Sequence, residues 1–69
     1  MPLAMAPAGE KQSIKRIGGK EEIRRFLETL GFVVGSDVMV VARTGGNVIV
    51  SVKESRVAIS REMAAKIMV

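Results

Sequence analysis

The sequence predicts a small, mainly β protein: a barrel of about five strands, with one α-helix inserted after the first strand and a short C-terminal helical turn. Two observations lead to this fold class. Three runs between residues 37 and 60 are rich in β-branched residues, and the second of them, residues 48–52, alternates its side chains between two faces as a half-buried strand does. An earlier segment, residues 20–30, repeats its apolar residues with the period of an α-helix. With 69 residues in all, we expect a single domain over residues 1–69.

The N-terminal segment is expected to be an extended lead-in followed by a strand. Pro2 and Pro7 exclude a helix interior, because proline lacks an N–H and clashes with the preceding turn. Leu3 is the expected anchor of this segment. The first strand is predicted over residues 13–17. Its apolar residues, Ile14 and Ile17, are three apart rather than two, so a bulge or a twist is expected there.

Residues 20–30 carry the strongest local signal in the chain. Gly18 and Gly19 precede this helix, and acidic residues occupy its first turn, where the helix dipole favours negative charge. Gly31 is expected to end the helix at positive φ, so that Phe32 folds back onto Leu27. Four apolar side chains share one helix face and should pack on the barrel: Ile23, Phe26, Leu27 and Leu30.

Three further strands are predicted over residues 37–43, 48–52 and 56–60. They are separated by a turn at Gly35, a four-residue hairpin loop over residues 44–47, and a connection over residues 53–55. Ser60 is the expected N-cap of a short helical turn. Residues 67–69 should form a closing strand that pairs with the N-terminal one and removes exposed edges. The predicted sheet core consists of Val38, Val40, Val50, Val52, Val57 and Ile59.

The chain contains neither cysteine nor histidine. This composition removes disulfides, cysteine nucleophiles, the usual zinc and iron–sulfur sites, and histidine acid–base chemistry. The 7 acidic residues are spread along the chain, whereas a carboxylate metal site needs several acids converging on one point. We therefore predict a protein that is not an enzyme, with no catalytic residues, no cofactor and no metal site.

The net charge of +4 and the pI of about 10.1 are compatible with several kinds of partner. A basic excess suits nucleic acid, anionic lipid or an acidic protein, or only keeps a protein soluble. No apolar run approaches the ~20 residues of a membrane-spanning helix. The basic residues follow the mildly apolar start instead of preceding it, which is the reverse of a secretory signal. We expect a soluble protein of the cytoplasm.

One alternative function is nucleic-acid binding. Residues 35–40, followed by Gly45 and Gly46, loosely resemble the turn-and-strand KOW motif of ribosomal and transcription proteins. Small barrels that bind single strands use stacking aromatic side chains. Phe26 and Phe32 are the only aromatic residues, and both are expected to pack between the helix and the barrel. A nucleic-acid partner is therefore the less favoured interpretation.

Large apolar residues also fall on the face of the predicted sheet that should be wet. Met39, Val41 and Ile49 alternate onto this face. Either the helix or the N-terminal segment covers them, or they form a protein-binding or self-association patch. The sequence leaves both interpretations open.

The order of these features resembles the ferrous iron transport protein A family over nearly the whole chain. One departure is Val34, at a position where the family often has proline before the glycine of its turn. The matching positions are Leu3, Gly9, Ile14, Ile17, Gly18-Gly19, Phe26-Leu27, Leu30-Gly31-Phe32, Gly35, Val38, Val40, Val48–Val52, Arg56–Ile59, Ala64, Ile67 and Val69.

The resemblance implies an SH3-like barrel and a role in ferrous iron uptake. Such proteins act by binding the cytoplasmic, GTP-binding part of the ferrous iron permease of the FeoB type, and so meet the membrane only through the permease. A homo-oligomer is left open. From strand alternation, we expect outward-facing apolar and basic side chains to contact the partner: Met39, Arg43, Ile49, Lys53 and Arg56.

Overall fold

Two antiparallel sheets form the framework of the computed structural model, which describes residues 1–69. The strands are β1 (Lys11–Ser13), β2 (Arg16–Ile17), β3 (Asp37–Thr44), β4 (Asn47–Val52), β5 (Ser55–Ser60) and β6 (Ile67–Met68). The larger sheet has the order β1-β3-β4-β5, and the smaller one pairs β2 with β6. The helices are α1 (Glu21–Thr29) and α2 (Arg61–Ala64). The predicted mainly β class is confirmed, with 6 strands.

The first predicted strand is divided between the two sheets. β1 pairs with β3, whereas β2 pairs with β6. Between them, the Ile14 N–H donates to Ser36 and the Lys15 N–H to Met68, while the Ile14 side chain enters the core. At the place where a bulge or a twist is expected, the chain passes from the larger sheet to the smaller one. The expected pairing of the N-terminal and C-terminal strands is confirmed by β2 and β6.

The N-terminal segment is more tightly wound than predicted. Leu3–Met5 forms a 3₁₀ turn, which lies after Pro2 and therefore keeps the proline out of its interior. Leu3 is fully buried, so its predicted anchoring role is confirmed. The expectation of an extended lead-in is wrong for these three residues.

Helix α1 lies where the periodicity predicts it and ends as predicted. Gly31 adopts φ +105°, its N–H donates to Glu28, and the N–H of Phe32 donates to Leu27 at 2.9 Å. These two bonds are those of a Schellman motif. The predicted burial of Phe26 is wrong, because its side chain is 48% exposed. Leu27 is the centre of the buried stripe, and Phe26 is rotated by about 100° from it around the helix axis.

The three long strands form a meander with turns tighter than expected. Thr44 pairs with Asn47, so the loop has two residues instead of four. Val52 likewise pairs with Ser55 across Lys53 and Glu54. The register shifts between Val40 and Ala42, leaving Val41 as a bulge in β3.

The core lies between the inner face of the larger sheet, the smaller sheet and the helices. Ser60 caps α2 as predicted, since its Oγ accepts a hydrogen bond from the Met63 N–H at 3.2 Å. Val57, which the predicted core includes, is only partly buried, because β5 is an edge strand. The buried side chains are Leu3, Ala6, Ile14, Leu27, Phe32, Val38, Val40, Val48, Val50, Val52, Ile59, Ala64, Ile67 and Val69.

Candidate partner-binding surface

One row of side chains crosses the outer face of the larger sheet. Lys11 lies opposite Met39, Met39 opposite Ser51, and Ser51 opposite Arg56. Residues paired in this way project to the same face of a sheet. A partly buried methionine and serine therefore lie between two exposed basic side chains. The structure thus brings together Met39 and Arg56, two of the predicted contact residues.

A second, apolar row lies beside the first. Ala42 pairs with Ile49, and Ile49 pairs with Ala58. Ile49 therefore shares the outer face with Met39, as strand alternation predicts. Both side chains are partly buried, as is Val41. This face is neither fully covered by other elements nor fully open to water.

The bulge at Val41 places Arg43 apart from the other predicted contact residues. Arg43 pairs with Val48, whose side chain is buried, so the expectation that Arg43 shares a face with Met39 is wrong. Its guanidinium group binds the N-terminal segment instead. The Nε and Nη2 atoms donate to the carbonyl oxygen of Ala4 at 3.3 and 2.9 Å, and Nη2 also donates to Ala6. Partner contact by Arg43 stays a prediction.

Lys53 occupies a turn with an unusual backbone. Lys53 and Glu54 have φ values of 48° and 64°. These values lie in the left-handed region of the backbone, which residues other than glycine and asparagine rarely adopt. Two positive φ values characterise the type I′ hairpin turn, for which Asn-Gly is the preferred sequence. The aliphatic part of Lys53 lies over Gly31, since a Cβ atom there would be 3.4 Å from its Cγ and Cδ.

The outer row and this turn border one open cleft of about 570 Å³. Met39 and Lys53 lie in this cleft, next to residues that the sequence did not indicate. Lys11 was missed because the pairing of β1 with β3 has no local sequence signal. The cleft is lined by Lys11, Ser36, Asp37, Val38, Met39, Ser51, Lys53 and Glu54.

The cleft offers binding groups of both charges around one large apolar side chain. Lys11 and Lys53 supply ammonium groups, and Asp37 and Glu54 supply carboxylates. None of these forms an ion pair, because the only ion pair in the structure joins Arg25 and Glu21 on α1. The charged groups are therefore available to a partner.

A second, smaller cleft of about 360 Å³ lies on the side of α1. Arg16 of β2 and Arg24 of α1 supply its positive charge, Glu28 its negative charge, and Ile17, Val33 and Val34 its apolar wall. None of the predicted contact residues lines it. No three acidic side chains converge on a point that could hold a metal ion. Neither α1, with 9 residues, nor α2, with 4, could span a membrane.

Comparison with known proteins identifies the family. The FeoA domain model matches residues 1–69. A relative from Methanocaldococcus jannaschii, provisionally named Fe(2+) transport protein A, is 40% identical over 68 residues. The match covers 99% of this chain and 83% of the relative.

Solved structures of the same family share the fold. An iron uptake regulatory protein (FeoA) has a TM-score of 0.87 and 30% identity, with 97% of this chain and 89% of that chain covered. FeoA of Stenotrophomonas maltophilia, solved with zinc, has a TM-score of 0.84 and 27% identity, with 99% and 87% covered. It is described as a prokaryotic SH3 domain protein and as a candidate activating factor of ferrous iron transport. The predicted SH3-like barrel is thereby confirmed, and the chain belongs to the FeoA family.

Proposed function

We propose that the chain is a non-enzymatic accessory protein of ferrous iron uptake in the cytoplasm. In this role it binds the cytoplasmic, GTP-binding part of a ferrous iron permease of the FeoB type. Family membership over residues 1–69 supports the transport role. The names of the M. jannaschii and S. maltophilia relatives, as an Fe(2+) transport protein and a candidate activating factor, point the same way.

The observation that carries the binding role is the arrangement around Met39. A partly buried apolar side chain lies in an open cleft, with Lys11, Lys53 and Arg56 around it. Protein interfaces often have this anatomy, an apolar centre with a polar rim, and methionine adapts well to a partner surface. Ile49 lies in the neighbouring row and extends the apolar centre.

The unusual turn supports the same surface. A non-glycine residue at positive φ costs of order 1 kcal/mol, and such strain is found more often at functional sites. Lys53 and Glu54 both adopt such a conformation, and both line the cleft. We infer that these two side chains serve recognition, where Asn-Gly would suit the backbone better.

The proposal is tested by titrating the chain against the purified, full-length cognate permease, with and without GTP. Met39→Asp and Lys53→Glu should each weaken binding about tenfold or more, since Met39 is the apolar centre of the proposed surface and Lys53 is one of the cations around it. Met5→Asp and Arg24→Glu are the matched controls, because Met5 and Arg24 are exposed outside the cleft. Absence of binding by the unaltered chain would refute the proposal, and equal losses in the controls would refute the surface.

Nucleic-acid binding is less well supported. Phe32 is buried and unable to stack on a base, and Phe26 lies on α1, outside the turn and strand that resemble a KOW motif. Phosphate contacts give an affinity that decreases steeply with added salt. We expect no such salt-dependent binding to RNA or DNA. A steep salt dependence would favour this alternative.

A further inference from the structure

Strand β5 has one edge without hydrogen-bond partners. It lies at the end of the four-stranded sheet and pairs only with β4. None of the turn, loop and cap hydrogen bonds involves residues 55–59. In an antiparallel ladder, alternate residues direct their N–H and C=O groups away from the paired strand. Ser55, Val57 and Ile59 are the residues bonded to β4, because Val52 and Ser55 close a two-residue hairpin. Arg56 and Ala58 therefore direct both groups away from the sheet, whereas the carbonyl of Ser60 belongs to α2 as its N-cap.

This edge has few of the features that usually prevent strand addition. Natural edge strands are kept apart by proline, by bulges, by several charges or by short length. The opposite edge, β1, has only three residues. β5 has six residues, no proline, a regular register with β4 and a single charged residue, Arg56. Unpaired N–H and C=O groups in such a row are complementary to the backbone of an extended peptide segment.

The side chains of β5 indicate what kind of segment would suit the edge. Arg56 and Ala58 project to the outer face, in the rows of Met39 and Ile49 respectively. Val57, on the inner face, is partly buried and would gain cover from an added apolar side chain. A segment that alternates acidic and apolar residues would place a carboxylate beside Arg56 and an apolar group beside Val57.

Charge disfavours a second copy of this chain as the occupant. Lys53, Arg56 and Arg61 lie along or beside β5, are exposed and form no ion pairs. Pairing two copies edge to edge would bring six such cations to one junction, in chains that each carry a net charge of +4. An acidic segment would instead be attracted to these cations, although Glu54 and Glu62 also lie near the ends of β5.

We propose that β5 accepts an extended segment of the permease as an additional strand, with acidic residues beside Arg56 and apolar residues beside Val57. This inference rests on the proposed function, since it names the element through which the partner binds. The added strand would continue the row of Lys11, Met39, Ser51 and Arg56, so the edge and the cleft form one surface.

Hydrogen–deuterium exchange read by mass spectrometry tests this assignment. The chain is measured alone over a range of concentrations and then in complex with full-length permease. We expect the fragment spanning residues 55–60 to exchange about tenfold more slowly in the complex, because new ladder hydrogen bonds protect its amides. In parallel, Arg56→Glu and Ala58→Glu should each weaken binding about tenfold, through repulsion of the acidic segment.

Two matched controls carry the same charge changes outside β5. Arg24 and Ala65 are exposed, so Arg24→Glu and Ala65→Glu should leave binding unchanged. A complex that forms without protecting residues 55–60 overturns strand addition but leaves the proposed function intact. Failure to form any complex refutes both. Protection of residues 55–60 that increases with concentration in the chain alone assigns the edge to a second copy and overturns the acidic segment.

Discussion

Arg43 binds the carbonyl oxygen of Ala4 through both its Nε and its Nη2 atoms, at 3.3 and 2.9 Å. This contact joins the end of β3 to the 3₁₀ turn, which is remote from it in sequence. The turn places Leu3 in the core. Arg43 therefore helps to hold the 3₁₀ turn and its anchor, Leu3, in position, and we expect Arg43 to contribute mainly to stability.

Replacing Arg43 should lower stability more than replacing another exposed arginine. Arg43→Ala removes the donors to Ala4 and Ala6, and we expect a loss of about 1 kcal/mol in the free energy of unfolding. Arg24→Ala is the control, because Arg24 makes no hydrogen bond or ion pair through its side chain. Equilibrium urea denaturation measures both. Equal losses in the two variants would show that the hydrogen bonds of Arg43 to Ala4 and Ala6 contribute nothing to stability.

The turn between β4 and β5 should trade stability against binding. Replacing Lys53 by Asn and Glu54 by Gly relieves two strained backbone positions and should stabilise the fold by about 1–2 kcal/mol. The same double variant removes both charged side chains from the cleft and should weaken permease binding. Thermal unfolding and the binding titration together test this expectation. A variant with unchanged stability would contradict the proposed strain.

Gly31 should not tolerate a side chain. Its φ of +105° closes the Schellman motif, and a Cβ atom would lie 3.4 Å from the Cγ and Cδ of Lys53. We expect Gly31→Ala to destabilise the fold by at least about 1 kcal/mol. Gly46→Ala is a suitable control, since Gly46 has open space around it and no positive φ in the strained range. Urea denaturation of the two variants should show a clear difference.

Alanine substitutions at two neighbouring residues of α1 should lower stability by very different amounts. Leu27 is fully buried, so Leu27→Ala should lower the free energy of unfolding by about 2–4 kcal/mol. Phe26 is half-exposed, and Phe26→Ala should reduce it by less than about 1 kcal/mol. Calorimetric melting temperatures compare the two. A larger effect at Phe26 would mean that the helix packs through a different face.

Elements fixed by neighbouring residues could be predicted from the sequence. The end of α1 at Gly31 and the cap at Ser60 depend on a few adjacent side chains, and both have the expected geometry. The strand positions after Gly35 follow from β-branched residues and alternation in the same way. Alternation predicts a small barrel, and only the family resemblance predicts that the barrel is SH3-like.

Features that depend on distant pairing could not be predicted in this way. The first strand divides at Ile14 because β3 and β6 each take one part of it, and neither is near in sequence. The bulge at Val41 reverses the face of every later residue in β3, so strict alternation predicts the wrong face for Arg43. The Lys53-Glu54 turn lacks the asparagine or glycine that would signal it.

The pairing of β2 with β6 also has a kinetic consequence. These strands lie near opposite ends of the chain, whereas β3, β4 and β5 follow one another through two-residue turns. Contacts between distant segments require closing a large loop, so they tend to form late. We expect the meander to be assembled in the folding transition state and the two-stranded sheet to close afterwards. In stopped-flow measurements, Val50→Ala should then mainly slow refolding, and Ile67→Val should mainly accelerate unfolding.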